Sequence, residues 1–232
     1  MHDTSTHPRR GFLAGLFGVA AAASLPSVAA AQVGGGDAWI KEVPGKYRCF
    51  FDCPQHMNGF GLLHVLNYLS TYAATGAAAG QAGAVSSFYS VGSASSIGLG
   101  FNDAMWAKYG LGEYLGLKDA SGKPYTRNVF VSPTKEDGHL LTQRIQMPVI
   151  PMAGDAMTGL AIPNLQKMGT KFLLCNNALG LWTLELEAKG KGTAAAIDKD
   201  LRGNLLPGVT IVPAMVIAIQ QAQAAGISYN RQ

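Results

Sequence analysis

The chain has 232 residues, of which 48% are hydrophobic and 14% charged, and its formal net charge is +4. This composition is sufficient for one domain with a sizeable core. The charge excess is mild and forms no basic stripe interleaved with aromatic residues, so no nucleic-acid partner is expected.

The first 31 residues carry the pattern of an export signal. Arg9 and Arg10 precede an apolar stretch that ends at Leu25, and the small-residue pattern 29–31 follows. Paired arginines at this position indicate the twin-arginine route, with an ordinary secretory signal as the alternative. The apolar stretch is too short to span a bilayer, and no later run is long enough. We therefore expect a signal peptide, residues 1–31, and a periplasmic mature protein without a membrane span.

The mature chain alternates between predicted strands and helices after a flexible Gly-rich lead, residues 32–45. Strands are predicted at 46–53, 84–91, 128–132, 171–177 and 207–213. Helices are predicted at 58–72, 102–111, 153–167, 193–201 and 214–225. Such alternation is typical of parallel βαβ units. The predicted fold is α/β, a single three-layer doubly wound domain (46–232) with a mostly parallel sheet and an irregular insertion near 112–152.

The strand at 171–177 ends in a cysteine and two amides, Cys175, Asn176 and Asn177. In open α/β sheets, ligands bind at the carboxyl ends of the strands. A cysteine between a strand end and a helix start meets backbone N–H groups and the positive helix end, which stabilise a thiolate. Cys175 is thus a candidate nucleophile, or alternatively a small buried hydrophobe. The two amides either orient a ligand or cap the following helix.

Four more residues are predicted at the same edge of the sheet. Cys53 ends the first strand and would form a redox pair with Cys175 if the strand order brought them together. His56 follows it as a candidate general base or ligand. Gly92 and Ser93 lie in the loop after the second strand, which is either a cradle for a polar ligand or an ordinary connection.

The cysteine, histidine, glycine and serine patterns indicate no metal site and no cofactor site. The spacing of Cys49 and Cys53 is not that of a zinc site, and no histidine cluster completes one. The glycines between 92 and 100 do not keep the dinucleotide-binding spacing. No serine lies in a nucleophile elbow. With three cysteines in the chain, at least one thiol stays unpaired in the monomer.

The second half of the chain resembles the DsrE/DsrF-like family, which is known for small sulfur-relay proteins with a flavodoxin-like parallel sheet. The matching segments are 175–179 (CNNAL), 206–213 (LPGVTIVP) and 220–226 (QQAQAAG) before Tyr229, with a looser match at 102–106. The resemblance covers about 46–229 and is densest after Gly169. It departs from the family in its export signal and in the segment 112–152.

The resemblance implies that Cys175 carries or receives sulfane sulfur, with a sulfur donor or acceptor protein as its partner. It also implies a homo-oligomer. The predicted function is therefore a periplasmic sulfur relay, a carrier more than a turnover enzyme. The alternative is a non-catalytic module that uses the same edge for a small ligand or a partner subunit.

Overall fold

The computed structural model describes residues 36–146 and 152–232; the predicted signal peptide lies outside these ranges. The described part contains five parallel strands that form one sheet flanked by helices. The strands are β1 (Tyr47–Asp52), β2 (Ala82–Phe88), β3 (Thr170–Cys175), β4 (Val209–Val212) and β5 (Ser228–Arg231). This architecture confirms the predicted three-layer α/β domain.

Helices occupy every connection between the strands. They are α1 (Phe60–Ala74), α2 (Asp103–Tyr109), α3 (Leu111–Tyr114), α4 (His139–Ile145), α5 (Ala153–Gly159), α6 (Ile162–Lys167), α7 (Asn176–Ala188), α8 (Ala194–Gly203) and α9 (Met215–Ala224). Short 3-10 helices lie at Ala38–Glu42, Met57–Gly59, Ile97–Gly100 and Glu136–Gly138. Within the described ranges, no helix combines the length and the apolar character needed to cross a membrane.

The strand order is β4-β3-β2-β1-β5, and each neighbouring pair is parallel. From β1 to β4 the chain adds strands in one direction, and β5 then returns to the free side of β1. Parallel neighbours require crossover connections, which place helices over the faces of the sheet. All five carboxyl ends therefore meet at one edge, as the sequence predicted.

Side-chain alternation along the strands defines two faces of the sheet. The front face carries Phe51, which packs edge-on against Tyr68 of α1 with ring centroids 5.4 Å apart. Phe88 and Phe172 stack on the same face at 5.0 Å. The back face carries Phe50, which packs against Trp39 of the first 3-10 helix at 6.4 Å. That contact buries Trp39, so the predicted flexible lead holds a packed element from Ala38 on.

Two helix starts differ from the prediction. Residues 153–167 form two helices instead of one, because Pro163 lies in the first turn of α6, where its missing N–H is tolerated. Helix α1 begins at Phe60 instead of the predicted residue 58, and the residue before it is Gly59, with a φ of 96°. A side chain at this position would meet the Phe130 ring at 2.8 Å, which adds a packing reason for glycine.

The segment 112–152 is tied closely to the domain where the structure describes it. The predicted strand 128–132 is wrong, because these residues form a turn in which Val131 N–H donates to the Asn128 carbonyl at 3.0 Å. The buried Asp137 carboxylate accepts hydrogen bonds from the Tyr125 hydroxyl at 2.6 Å and from Arg127 at 2.7 Å. The backbone N–H of Thr134 adds a third at 2.8 Å.

This hydrogen-bond network makes the free energy of unfolding depend on pH in the acid range. Burial alone would raise the pKa of Asp137, but the bonds from Thr134, Tyr125 and Arg127 outweigh burial and hold the pKa below its ordinary value. A depressed pKa stabilises the fold above the unfolded value of 3.8, and this contribution is lost as the pH falls further. We expect Asp137→Asn to lower the free energy of unfolding by about 2 kcal/mol at pH 7.

Urea unfolding at pH 7 and near pH 3 measures this effect, which should shrink at the lower pH. Asp155→Asn is the control, because it removes an exposed pair with Lys135 and should change stability by less than about 0.5 kcal/mol. An equal loss for Asp137→Asn at both pH values would contradict the linkage.

Candidate functional site

The central feature of the site is the sulfur of Cys175, the last residue of β3. Its Sγ accepts a hydrogen bond from the backbone N–H of Ala178 at 3.4 Å. It accepts a second from the backbone N–H of Met215 at 3.3 Å. Ala178 lies in the first turn of α7 and Met215 is the first residue of α9, so two helix N-termini converge on one sulfur atom.

Local sequence explains this arrangement. Cys175 is the N-cap of α7, with the extended backbone that an N-cap requires, and its sulfur takes the place of the usual cap oxygen. The residue before α9 is Ala214, which has no side-chain acceptor for the first N–H groups of that helix. The Cys175 sulfur supplies one of these acceptors. Donor N–H groups and positive helix ends are the surroundings that stabilise negative charge on an atom placed between them.

The other two cysteines have the opposite chemistry. The Cys53 Sγ donates toward the Phe51 carbonyl at 3.6 Å and lies 3.7 Å from the Ser86 hydroxyl. Burial raises the pKa of Cys53 to about 12 and that of Cys49 to about 11. Both groups are therefore protonated thiols at neutral pH, and Cys175 is the cysteine whose sulfur acts as an acceptor of two N–H groups.

The structure places Cys53 and Cys175 on opposite faces of the sheet. Cys53 contacts Ser86 on the front face, whereas Cys175 contacts the start of α9 on the back face. The strand β2 lies between their two strands. All three cysteines are free, so the redox pair considered from the sequence is not formed in this structure.

The two amides after Cys175 differ in their surroundings. The Oδ1 of Asn176 accepts a hydrogen bond from Arg202 at 2.7 Å, and Arg202 Nε donates to Asp198 at 2.8 Å. Asn177 is exposed on the first turn of α7. Because Cys175 itself is the N-cap, neither asparagine has the capping role that was the alternative to ligand binding.

His56 has both ring nitrogens engaged by the backbone. Its Nδ1 accepts from the N–H of Asn58 at 3.1 Å, so the proton lies on Nε2, which donates to the Leu115 carbonyl at 3.1 Å. Burial lowers the pKa of this imidazole, against the opposing effect of the backbone bonds. The histidine is neutral and holds the loop after β1, with no free nitrogen for a ligand in this conformation.

Gly92 and Ser93 lie away from the Cys175 sulfur contacts. The N–H of Gly92 donates to the Tyr114 hydroxyl at 2.9 Å, so it is already satisfied. Ser93 lines a cavity of about 470 Å³ together with Tyr114 and Lys189, and Cys175 is not among its lining residues. The structure therefore does not join the two parts of the predicted site into one pocket.

Sequence reasoning missed a buried carboxylate at the same edge. Asp52, at the end of β1, accepts hydrogen bonds from the Tyr229 hydroxyl at 2.7 Å and the Ser87 hydroxyl at 3.3 Å. Burial, followed by the interaction with Asp52, raises the pKa of Tyr89. By strand alternation Asp52 lies on the back face, like Cys175. The signal in the sequence was an acidic residue ending a strongly apolar strand.

Within the described ranges, no group of three or more His, Cys, Asp or Glu side chains is placed to hold a metal ion. A cavity of about 650 Å³ lies between α1 and β5, on the front face and away from Cys175. Comparisons with protein-family models, curated proteins and solved structures found no match for the chain. The fold and site define an α/β protein with a cysteine at the carboxyl edge of a parallel sheet.

Proposed function

We propose that this protein is an exported, periplasmic carrier of sulfane sulfur that uses Cys175. The observation that carries the proposal is the pair of backbone N–H groups donated to the Cys175 sulfur. The resemblance of the second half of the chain to the DsrE/DsrF-like family supports the same chemistry. A sulfur donor or acceptor protein is the proposed partner, and self-association is part of the proposal.

The proposed step is transfer of one sulfur atom from a persulfide. The Cys175 thiolate attacks the outer sulfur of a donor R–S–SH, a new S–S bond forms, and the S–S bond of the donor breaks. The products are the Cys175 persulfide and the thiolate R–S⁻, so charge and atoms balance and no external oxidant is needed. The two N–H groups stabilise the attacking anion and, on the reverse path to an acceptor thiolate, the leaving anion.

The test is persulfide formation on the native protein. After brief exposure to glutathione persulfide, peptide mass spectrometry should find one extra sulfur atom on Cys175 and none on Cys49 or Cys53. Cys175→Ser is the control and should show no adduct. Absence of the adduct from a native protein whose Cys175 is alkylated by a small reagent would exclude the carrier function.

A second candidate is a non-catalytic binding or assembly module. The burial of Cys175, whose residue is 5% exposed, and its role as the N-cap of α7 fit a structural part in the fold. Apolar side chains are exposed nearby, with Val216 71% exposed on the first turn of α9, beside the residue that bonds to Cys175. Under this function, Cys175→Ser would keep ligand or subunit binding at the wild-type level, which equilibrium sedimentation measures for self-association.

A further inference from the structure

An arginine with a largely covered side chain lies beside the start of α7. Arg202, in the last turn of α8, has only 8% of its side chain exposed and forms an ion pair with Asp198 one turn earlier. Its second contact crosses to α7, where an Nη atom donates to Asn176 Oδ1 at 2.7 Å. Asn176 directly follows Cys175, and Ala178, whose N–H bonds to the sulfur, lies two residues further on.

We propose that Arg202 is a positioning residue for the Cys175 thiolate. The inference rests on the proposed function, because it assigns the support of that same sulfur. Arg202 acts through Asn176 in two ways: it fixes the first turn of α7 against α8, and it places a guanidinium, shared with Asp198, at the positive end of the α7 dipole. Both effects favour the anionic form of the sulfur.

The same contact fixes which way the Asn176 amide points. Because Oδ1 accepts the hydrogen bond from the guanidinium, Nδ2 is turned away from Arg202. Within residues 36–146 and 152–232, Nδ2 has no hydrogen-bond partner. An amide nitrogen without a partner is available to donate to a bound group. This gives the predicted ligand-binding role of Asn176 a physical basis that the sequence did not contain.

The experiment follows the rate of iodoacetamide alkylation at Cys175 in the native protein, from roughly pH 6 to 9, by peptide mass spectrometry. Arg202→Met should lower the rate at pH 7 about fivefold and move the rate profile to higher pH. Arg202→Lys, which keeps the charge, should recover more than half of the loss.

Asn176→Ala removes the hydrogen bond between α8 and α7 but leaves the Arg202–Asp198 ion pair intact. It should move the pH profile of the alkylation rate in the same direction as Arg202→Met. Arg144→Met is the matched control. Arg144 also lies in the last turn of a helix, α4, but its contact is with Met57, so the alkylation profile of this variant should coincide with that of the wild type.

An Arg202→Met profile that coincides with the wild type would overturn the inference. A rate changed by the same factor at every pH, with no displacement of the profile, would also overturn it, because a change in access to the sulfur alone gives that result. Should Arg202→Met prevent folding, as judged by its urea unfolding curve, the Asn176→Ala profile decides in the same way. Persulfide formation is measured separately: a displaced profile without any persulfide on the wild type would support Arg202 and exclude the sulfur carrier.

Discussion

At pH 7, iodoacetamide should label Cys175 of the native protein at least about 100-fold faster than Cys49 or Cys53. The three residues are equally buried, with 5%, 7% and 4% of their surface exposed, so access alone does not separate them. The electrostatic surroundings of the three sulfur atoms do separate them. With pKa values of about 11 and 12, Cys49 and Cys53 are ionised at pH 7 in only about one molecule in 10⁴ to 10⁵. The Cys175 sulfur accepts two N–H groups that stabilise its anion.

The pH dependence provides the sharper measurement. A raised pKa means that the thiolate fraction of Cys49 and Cys53 rises about tenfold per pH unit throughout the alkaline range below their pKa values. Their labelling should rise in parallel as long as the protein stays folded. In urea all three cysteines should react alike, and Cys175→Ser should remove the fast phase in the native protein. Labelling of Cys53 as fast as that of Cys175 would contradict the assignment of Cys175 as the reactive thiol.

The fold was predictable because its signals are local. Short apolar runs that alternate with helices specify parallel strands and crossover connections, since a parallel pair cannot be closed by a tight turn. The position of Cys175 was predictable for the same reason, because an apolar run that ends in polar residues marks the carboxyl end of a strand. Each of these features can be predicted from the residues of a single short segment.

The environment of the site depends on contacts between distant segments, and the sequence did not contain them. The second donor to Cys175 comes from Met215, 40 residues later. Cys53 and Cys175 both end strands, yet strand alternation places them on opposite faces of the sheet. The carboxylate of Asp52 has its Tyr229 partner because β5 returns beside β1.

The error at residues 128–132 has a different physical cause. An apolar run of this length suits a buried strand, but a buried turn has the same apolar composition when another group satisfies its backbone. That group is Asn128, whose side chain is fully buried and forms three hydrogen bonds to backbone atoms. Its Nδ2 donates to the carbonyls of Leu99 and Phe101, at 3.0 and 2.7 Å. Its Oδ1 accepts from the N–H of Phe130 at 3.1 Å.

Asn128→Leu should therefore lower the free energy of unfolding by about 3–5 kcal/mol, as measured by urea unfolding. Leucine has a similar volume, so the loss does not come from a cavity; it comes from three backbone groups left without partners in a dry interior. Asn128→Asp should cost at least as much, because a carboxylate cannot donate to the two carbonyls. Asn67→Leu is the matched control on an exposed position of α1 and should stay within about 0.5 kcal/mol.

The same substitution tests whether the segment 112–152 is an accessory insertion or part of the domain. Asn128 holds residues 99–101 in place, and Gly100 lies so close to Leu174 of β3 that a Cβ there would approach it to 2.7 Å. Loss of the Asn128 bonds should thus loosen the cover over the front face of β3 at Leu174. A variant with wild-type stability would show that the Asn128 bonds contribute nothing to the packing over β3.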